Sequence, residues 1–303
     1  MKCDFHVHSL HSGMCTVPGL KRICRESYNQ PQAVYDTLKR RGMDLVTVTD
    51  HDSIDAVEDL RHHPDVFLSE EVTCRTPCGT ELHMGVYGIE DRHHVELQRR
   101  RDDLISLIAY LGEQRLFFSI NHVFSSLTGP RTDSDFALFE TRFPGIETLN
   151  GQMLATCNRS AERLARRWNK AIVAGSDAHT LAALGLTYTE VPGADSVSEF
   201  IDGLKNRACR ARGISGDYWT LTQAVMGIGV SLMRERPWTV TLAPLFLAVP
   251  FVTMRTMRRS TRSTANGRAD WAGPGLPFAG GIPKFNPGCE AVRVPALRPC
   301  RPD

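Results

Sequence analysis

The sequence predicts an α/β fold on parallel strands, as an open sheet or a barrel. Short β-branched runs alternate with helical patterns over about 210 residues, the rhythm of repeated strand–helix–strand units. Four of those runs end in His or Asp. Parallel α/β folds gather their active sites at the C-terminal ends of strands.

The expected strands are Cys3–Val7, Asp44–Thr49, Val66–Thr73, Leu82–Tyr87, Phe117–Asn121, Ile146–Leu149 and Ala171–Gly175. Pro31 opens the first helix, PQAVYDTLKRR, where its fixed φ suits the first turn. Gly42 is placed to end it. A second helix is expected over about Val95–Gln114, because Leu97, Leu104, Ile105, Leu107, Ile108 and Leu111 recur at helical spacing. A third is expected over Asn158–Asn169 and a fourth over Ser196–Asn206.

The chain has 303 residues, ample for a sizeable core, and a composition that excludes collagen-like and coiled-coil classes. Its net charge of +2 conceals two unlike parts. Residues 221–303 hold 11 Lys+Arg against 4 Asp+Glu, ten of the 17 Pro and none of the 11 His. The acidic body before them, at −5, holds every His. The expected division is therefore a hydrolytic body over 1–220, an apolar helical segment over 221–257 and a low-order basic tail over 258–303.

Within the middle segment, residues 237–254 carry no charge and are followed by Arg255, Arg258 and Arg259. Eighteen residues is the short limit of a membrane span. Two readings stand: a helix packed on the body or a second subunit, and membrane contact with the Arg-bearing end on the cytoplasmic side. The start, MKCDFHVHSLHSG, has no apolar core of a secretory leader. Nine Cys without a repeated CxxC suggest reduced thiols. The expected location is cytoplasmic, with membrane association through the C-terminal segment as the variant.

The ionisable residues carry the chemistry. His6 and His8 are two apart on a strand and share a face, so both imidazoles can reach one metal. Asp177 and His179 repeat that spacing. Glu71 adds a carboxylate able to bridge two cations, and His83 adds another imidazole. Many His with few carboxylates suit Zn, Mn or Fe rather than Ca.

DFHVHS, VTVTDHDS, the Glu of LSEEVT, the His of ELHMGVY, the His of SINHVF, and GSDAHT occur here in order. The set resembles the motifs of the polymerase-and-histidinol-phosphatase (PHP) superfamily over about residues 1–215. The resemblance implies a distorted (β/α)7 barrel holding two or three divalent metals and hydrolysing phosphate esters. It implies the ligands His6, His8, His51, Glu71, His83, His122, Asp177 and His179. One site would use His6, His8, Glu71 and Asp177, a second Glu71, His83 and His122, and a third His51 and His179. The family usually places an Asp or His where this chain has Gly13 and Met14. The third metal is then weakly held, uses His11, or is absent.

Of these residues, His51, His179 and Asp177 are the expected catalytic groups, with His51 or His179 donating a proton to the leaving oxygen. Asp4 and Asp50 are expected to accept hydrogen bonds from ligand imidazoles. Arg131 is placed to hold a substrate phosphate, and Asn150, at a strand end, to touch substrate. The expected substrate is a small phosphate ester or a nucleotide. The alternatives are hydrolysis of a non-phosphate bond, and a non-catalytic metal-binding module associated with nucleic acid through the basic tail.

Overall fold

The computed structural model describes residues 1–17 and 19–265. The proposed basic tail from residue 266 onward lies outside the described residues. Strands and helices follow in the order β1 (Lys2–Cys3), α1 (Pro31–Arg40), α2 (Asp55–Leu60), β2 (Leu68–Arg75), β3 (Glu81–Ile89), α3 (Asp91–Arg100) and α4 (Leu104–Glu113). They continue with β4 (Phe117–Ile120), α5 (Asp133–Arg142), β5 (Gly145–Asn150), α6 (Ala155–Arg167), β6 (Ala171–Gly175), β7 (Thr187–Glu190), α7 (Val197–Lys205) and β8 (Arg210–Gly213). Helix α8 (Tyr218–Glu235), a 3₁₀ helix (Pro237–Ala248) and α9 (Val249–Ala265) close the described chain.

The fold is mixed α/β, with a five-stranded sheet in the order β2-β3-β4-β5-β6 and a three-stranded sheet β1-β7-β8. Both strand orders are open, so no closed barrel is shown among the described residues. The strands are parallel only from β4 to β6, while β2, β3 and β4 pair antiparallel. The five-residue connection from Arg75 to Glu81 explains the difference. It is too short for the crossover that parallel strands need, and Gly79 turns it at a φ of 81°.

Two expected strands are mostly irregular. Of the first run only Cys3 lies in a strand, Lys2–Cys3, and 44–49 contributes a single bridge, Val46 to Val66. Side chains take some of the ladder's hydrogen bonds there. The Val7 N–H donates to Thr49 Oγ1 at 2.9 Å. Asp4 Oδ1 accepts from the N–H groups of Ser176 (2.8 Å) and His6 (3.3 Å). Parallel bridges at Val7–Ala178 and His51–Glu71 still tie these segments between β6 and β2.

The helices follow their sequence signals closely. Pro31 opens α1, and α7 begins after Ser196, whose side chain accepts from the Glu199 N–H. The single helix expected over 95–114 is two, because Asp103 caps α4 by accepting from the N–H groups of Ile105 and Ser106. Helix α9 continues through residues 258–265, where the pattern suggested none.

The core fills both faces of the larger sheet. Leu82, Met84, Leu107, Leu111, Phe136 and Phe139 pack on one side, and Phe5, Tyr87, Phe117 and Phe200 on the other. Each such side chain contributes about 1.5–3 kcal/mol on burial. Gly175 lets the first segment cross the end of β6. A Cβ there would lie 2.4 Å from the His6 backbone nitrogen.

Candidate metal centre

Glu71 sits near the middle of β2, facing inward and fully buried. Its Oε2 lies 3.1 Å from His6 Nε2, 3.4 Å from His51 Nε2 and 3.5 Å from His8 Nε2. Its Oε1 lies 3.3 Å from His122 Nε2 and 3.7 Å from His83 Nδ1, and accepts a hydrogen bond from Asn121 Nδ2 at 2.9 Å. One carboxylate thus has three imidazoles at one oxygen and two at the other. Asp177 Oδ1 is 3.4 Å from His8 Nε2 and 3.6 Å from His6 Nε2. His179 stacks on His8, their ring centroids 4.4 Å apart.

All eight ligands expected from the resemblance therefore meet in one place. Each arrives from its own segment: His6 and His8 from the first, His51 after the second, Glu71 from β2, His83 from β3, His122 after β4, and Asp177 and His179 after β6. His122 and Asp177 adopt left-handed backbone conformations, with φ of 29° and 52°. Such positions cost about 1–3 kcal/mol each. The His122 N–H donates to Glu147 Oε2 (2.7 Å) and the Asp177 N–H to the His6 carbonyl (2.7 Å), which hold both turns in place.

The donors suit divalent cations. Most of the imidazole–carboxylate separations, at 3.3–3.7 Å, are long for hydrogen bonds. They match the ~3.4 Å edge of a tetrahedron of ligands at ~2.1 Å from one ion. Three donor groups lie within 4.8 Å: His6, His8 and Asp177; His6, Glu71 and His122; and His8, His51 and Glu71. The buried Nδ1 atoms of His83 and His122 have no hydrogen-bond partner among the described residues.

The electrostatics point the same way. Burial alone would raise Glu71, yet the imidazoles of His6 and His51 hold it well below the usual carboxylate range. Asp177 is likewise held down against burial, chiefly by His6 and His8. Burial lowers His6, but the charges of Glu71, Asp177 and Glu147 outweigh it and raise the imidazole. His8 falls to about 3, through burial and then the neighbouring His179. The carboxylates demand positive charge here, and metal ions supply it more fully than protons on imidazoles.

Glu147 and Glu26 complete the cluster and were missed in the sequence. Glu147 Oε1 lies 2.8 Å from His6 Nδ1, so it sets the orientation of that ring. Glu26 faces His51 and His179. His8 Nδ1 meets Ser12 Oγ at 2.8 Å, and His51 Nδ1 meets Thr73 Oγ1 at 3.2 Å.

Four sequence expectations need correction. Asp4 and Asp50 do not accept from ligand imidazoles. Asp4 binds backbone N–H groups, including Gly185 at 2.7 Å, and Asp50 binds the N–H of Ser9 at 2.6 Å and its hydroxyl. Each braces a strand end, and burial raises both carboxyls to about 6. Arg131 is buried and donates to the carbonyls of Val123 and Glu81 and to Thr128 Oγ1, so its guanidinium holds the loop rather than a phosphate. Asn150 is buried too, and its Nδ2 donates to Glu147 (3.0 Å) and Asp177 (3.1 Å) rather than facing substrate. His11 turns toward Asp55 and Asp59, away from the cluster.

A cavity of about 140 Å³ opens on the site, walled by His8, Glu26, His51, His83, His122 and His179. Leu127, Leu221, Thr256 and Met257 line it too, so α8 and α9 contribute to its wall.

The chain is similar to known proteins in part of its sequence and in its fold. Residues 156–209, which include Asp177 and His179, match a family model described as PHP-associated. No curated protein matches the chain. One similar structure is a two-domain protein from Bacteroides vulgatus ATCC 8482 containing a predicted PHP-like metal-dependent phosphoesterase. It is 20% identical with a TM-score of 0.54; the match covers 70% of this chain and 64% of that one. PsfC from Pseudomonas syringae PB-5123 is 19% identical with a TM-score of 0.54, over 77% of this chain and 98% of its own. The chain thus matches a PHP-associated model over residues 156–209 and is similar in fold to these structures.

Glu147→Gln keeps shape and removes the charge behind His6. It is expected to weaken Mn²⁺ binding by about 10–100-fold in a titration, with the fold intact by circular dichroism. Unchanged affinity would mean that Glu147 does not tune the site.

Proposed function

We propose that this chain is a metal-dependent phosphoesterase working through two or three divalent ions, Mn, Zn or Fe. The observation that carries the reading is the Glu71 carboxylate with imidazoles at both oxygens. His6, His8, Glu71 and Asp177 would hold one ion, Glu71, His83 and His122 a second, and His51 and His179 a third. We read the bridges from β6 through Val7 and Val46 to β2 as the distorted barrel that the resemblance to the PHP superfamily implies.

When bound, the ions supply a water of lowered pKa and positive charge for the phosphoryl oxygens. The remaining work belongs to the protein. Asn121 and the β2 backbone fix Glu71. Ser12, Thr73 and Glu147 fix the rings of His8, His51 and His6. Asn150 aligns Asp177. His179 and His51 line the cavity and, where no third ion occupies them, stand as proton donors to the leaving oxygen. Glu26 outweighs burial and raises His179 to about 9, which keeps that imidazole protonated at neutral pH when no metal is bound. Leu127, Leu221 and Met257 limit water around the reacting groups.

A second reading concerns the C-terminal helices. Residues Pro237–Arg259 form an apolar stretch with mean hydropathy 1.5, only 11% buried. Leu245, Leu247, Phe251 and Val252 are exposed, and Arg255, Arg258 and Arg259 follow them. That pattern supports contact with an anionic bilayer.

Full-length chain loaded with Mn²⁺ is expected to hydrolyse p-nitrophenyl phosphate. Asp177→Ala should lower both metal content and turnover, the latter at least about 100-fold. Metal-loaded protein inert toward a panel of phosphate esters, yet active on amides or lactones, would favour the other bond class. For the membrane reading, flotation with vesicles containing phosphatidylserine should carry the protein upward. The Leu247→Asp, Phe251→Asp double variant should lose at least about tenfold in bound fraction. Equal flotation of the two proteins would count against membrane contact by this segment.

A further inference from the structure

We propose that Glu26 is a metal ligand, the carboxylate that completes the His51–His179 site. The inference rests on the metal-centre reading above and adds a residue to it.

Glu26 lines the cavity with its side chain about three-quarters buried. Its Oε1 lies 3.5 Å from His179 Nε2, and its Oε2 lies 3.7 Å from His51 Nε2. These gaps are at or beyond the limit of a hydrogen bond. They equal, within a few tenths of an ångström, the ~3.4 Å between two ligands of one tetrahedral ion. The same spacing recurs around Glu71, whose oxygens stand 3.3–3.7 Å from four imidazoles. Glu26 therefore stands from each His neighbour at the spacing Glu71 keeps from its own, with one oxygen toward each ring.

The backbone explains how a residue so far along the loop reaches the site. The Glu26 N–H donates to the Gly13 carbonyl at 3.1 Å, Met14 bridges Arg25, and the Cys15 N–H donates to Cys24. The chain doubles back on itself and sets Glu26 beside Gly13 and Met14, which carry no donor side chain suited to a hard cation. Arg25 points the other way. Its Nε donates to Glu235 of α8 at 3.0 Å, and its Nη1 donates to the Leu10 carbonyl at 3.3 Å. Arg25 is thus tied to α8 and to the first segment, while Glu26 beside it lines the cavity. The other donor in this loop, His11, faces α2.

The test is a Mn²⁺ titration of metal-stripped full-length chain, with free ion read by electron paramagnetic resonance. Glu26→Gln, of equal size, should bind one ion fewer than the parent or bind its weakest ion at least about tenfold more weakly. His179→Ala should lose that same ion, and a double variant should lose no more than either single one. A plain ion pair between Glu26 and His179 would leave the ion count unmoved. Glu26→Gln that matches the parent in count and affinities, while Asp177→Ala loses ions, overturns the assignment and leaves the metal centre standing. A parent chain that takes up no Mn²⁺ overturns the metal centre itself. Thermal unfolding of Glu26→Gln near the parent midpoint shows that a lost ion is not a lost fold.

Discussion

A fully buried carboxylate must find compensating positive charge or give up its ionisation, and Glu71 is that carboxylate. Its position is set by pairing: β2 places it opposite Gly85, and a parallel bridge places His51 beside it. His83 lies two residues from Gly85 on the same face of β3, within diagonal reach. The first segment, crowded against Gly175, brings His6 and His8 to the other oxygen. The sheet supplies few hydrogen bonds to Glu71 beyond Asn121, so the imidazoles and what they bind must neutralise it.

The surrounding residues act mainly on geometry. Glu147 reaches His6, the His122 backbone and Asn150, and so links three parts of the cluster with one side chain. Asn150 passes the link on to Asp177. Two residues in the left-handed region, His122 and Asp177, are tolerated because this network fixes their N–H groups. The site is preorganised by hydrogen bonds that span more than a hundred residues of sequence.

That span decides what could be read in advance. The clustering of the eight expected donors is legible because they lie on or just after strand runs at fixed spacing, and α1, α6 and α7 are legible because their patterns and caps are local. Glu147 was hidden because its partner, His6, lies 141 residues away and nothing in GIETLN marks it. Glu26 was hidden inside a loop with no periodicity. Arg131 and Asn150 were misread for one reason: a polar residue after a strand can face the cavity or brace the loop, and only its hydrogen bonds tell which. The irregular segments at 3–7 and 44–49 have strand composition, yet Asp4 and Thr49 take their backbone hydrogen bonds. The apolar stretch at 237–254 was visible as a run, but the part α8 and α9 take in the cavity wall follows from packing alone.

In the proposed metal centre the two oxygens of Glu71 would serve separate ions. Anomalous diffraction from crystals of the full-length chain soaked in Mn²⁺ tests it most directly. The account predicts one peak among His6, His8, Asp177 and Glu71 Oε2, and another among His83, His122 and Glu71 Oε1. Strong peaks elsewhere in the molecule, with none within bonding distance of Glu71, would contradict it.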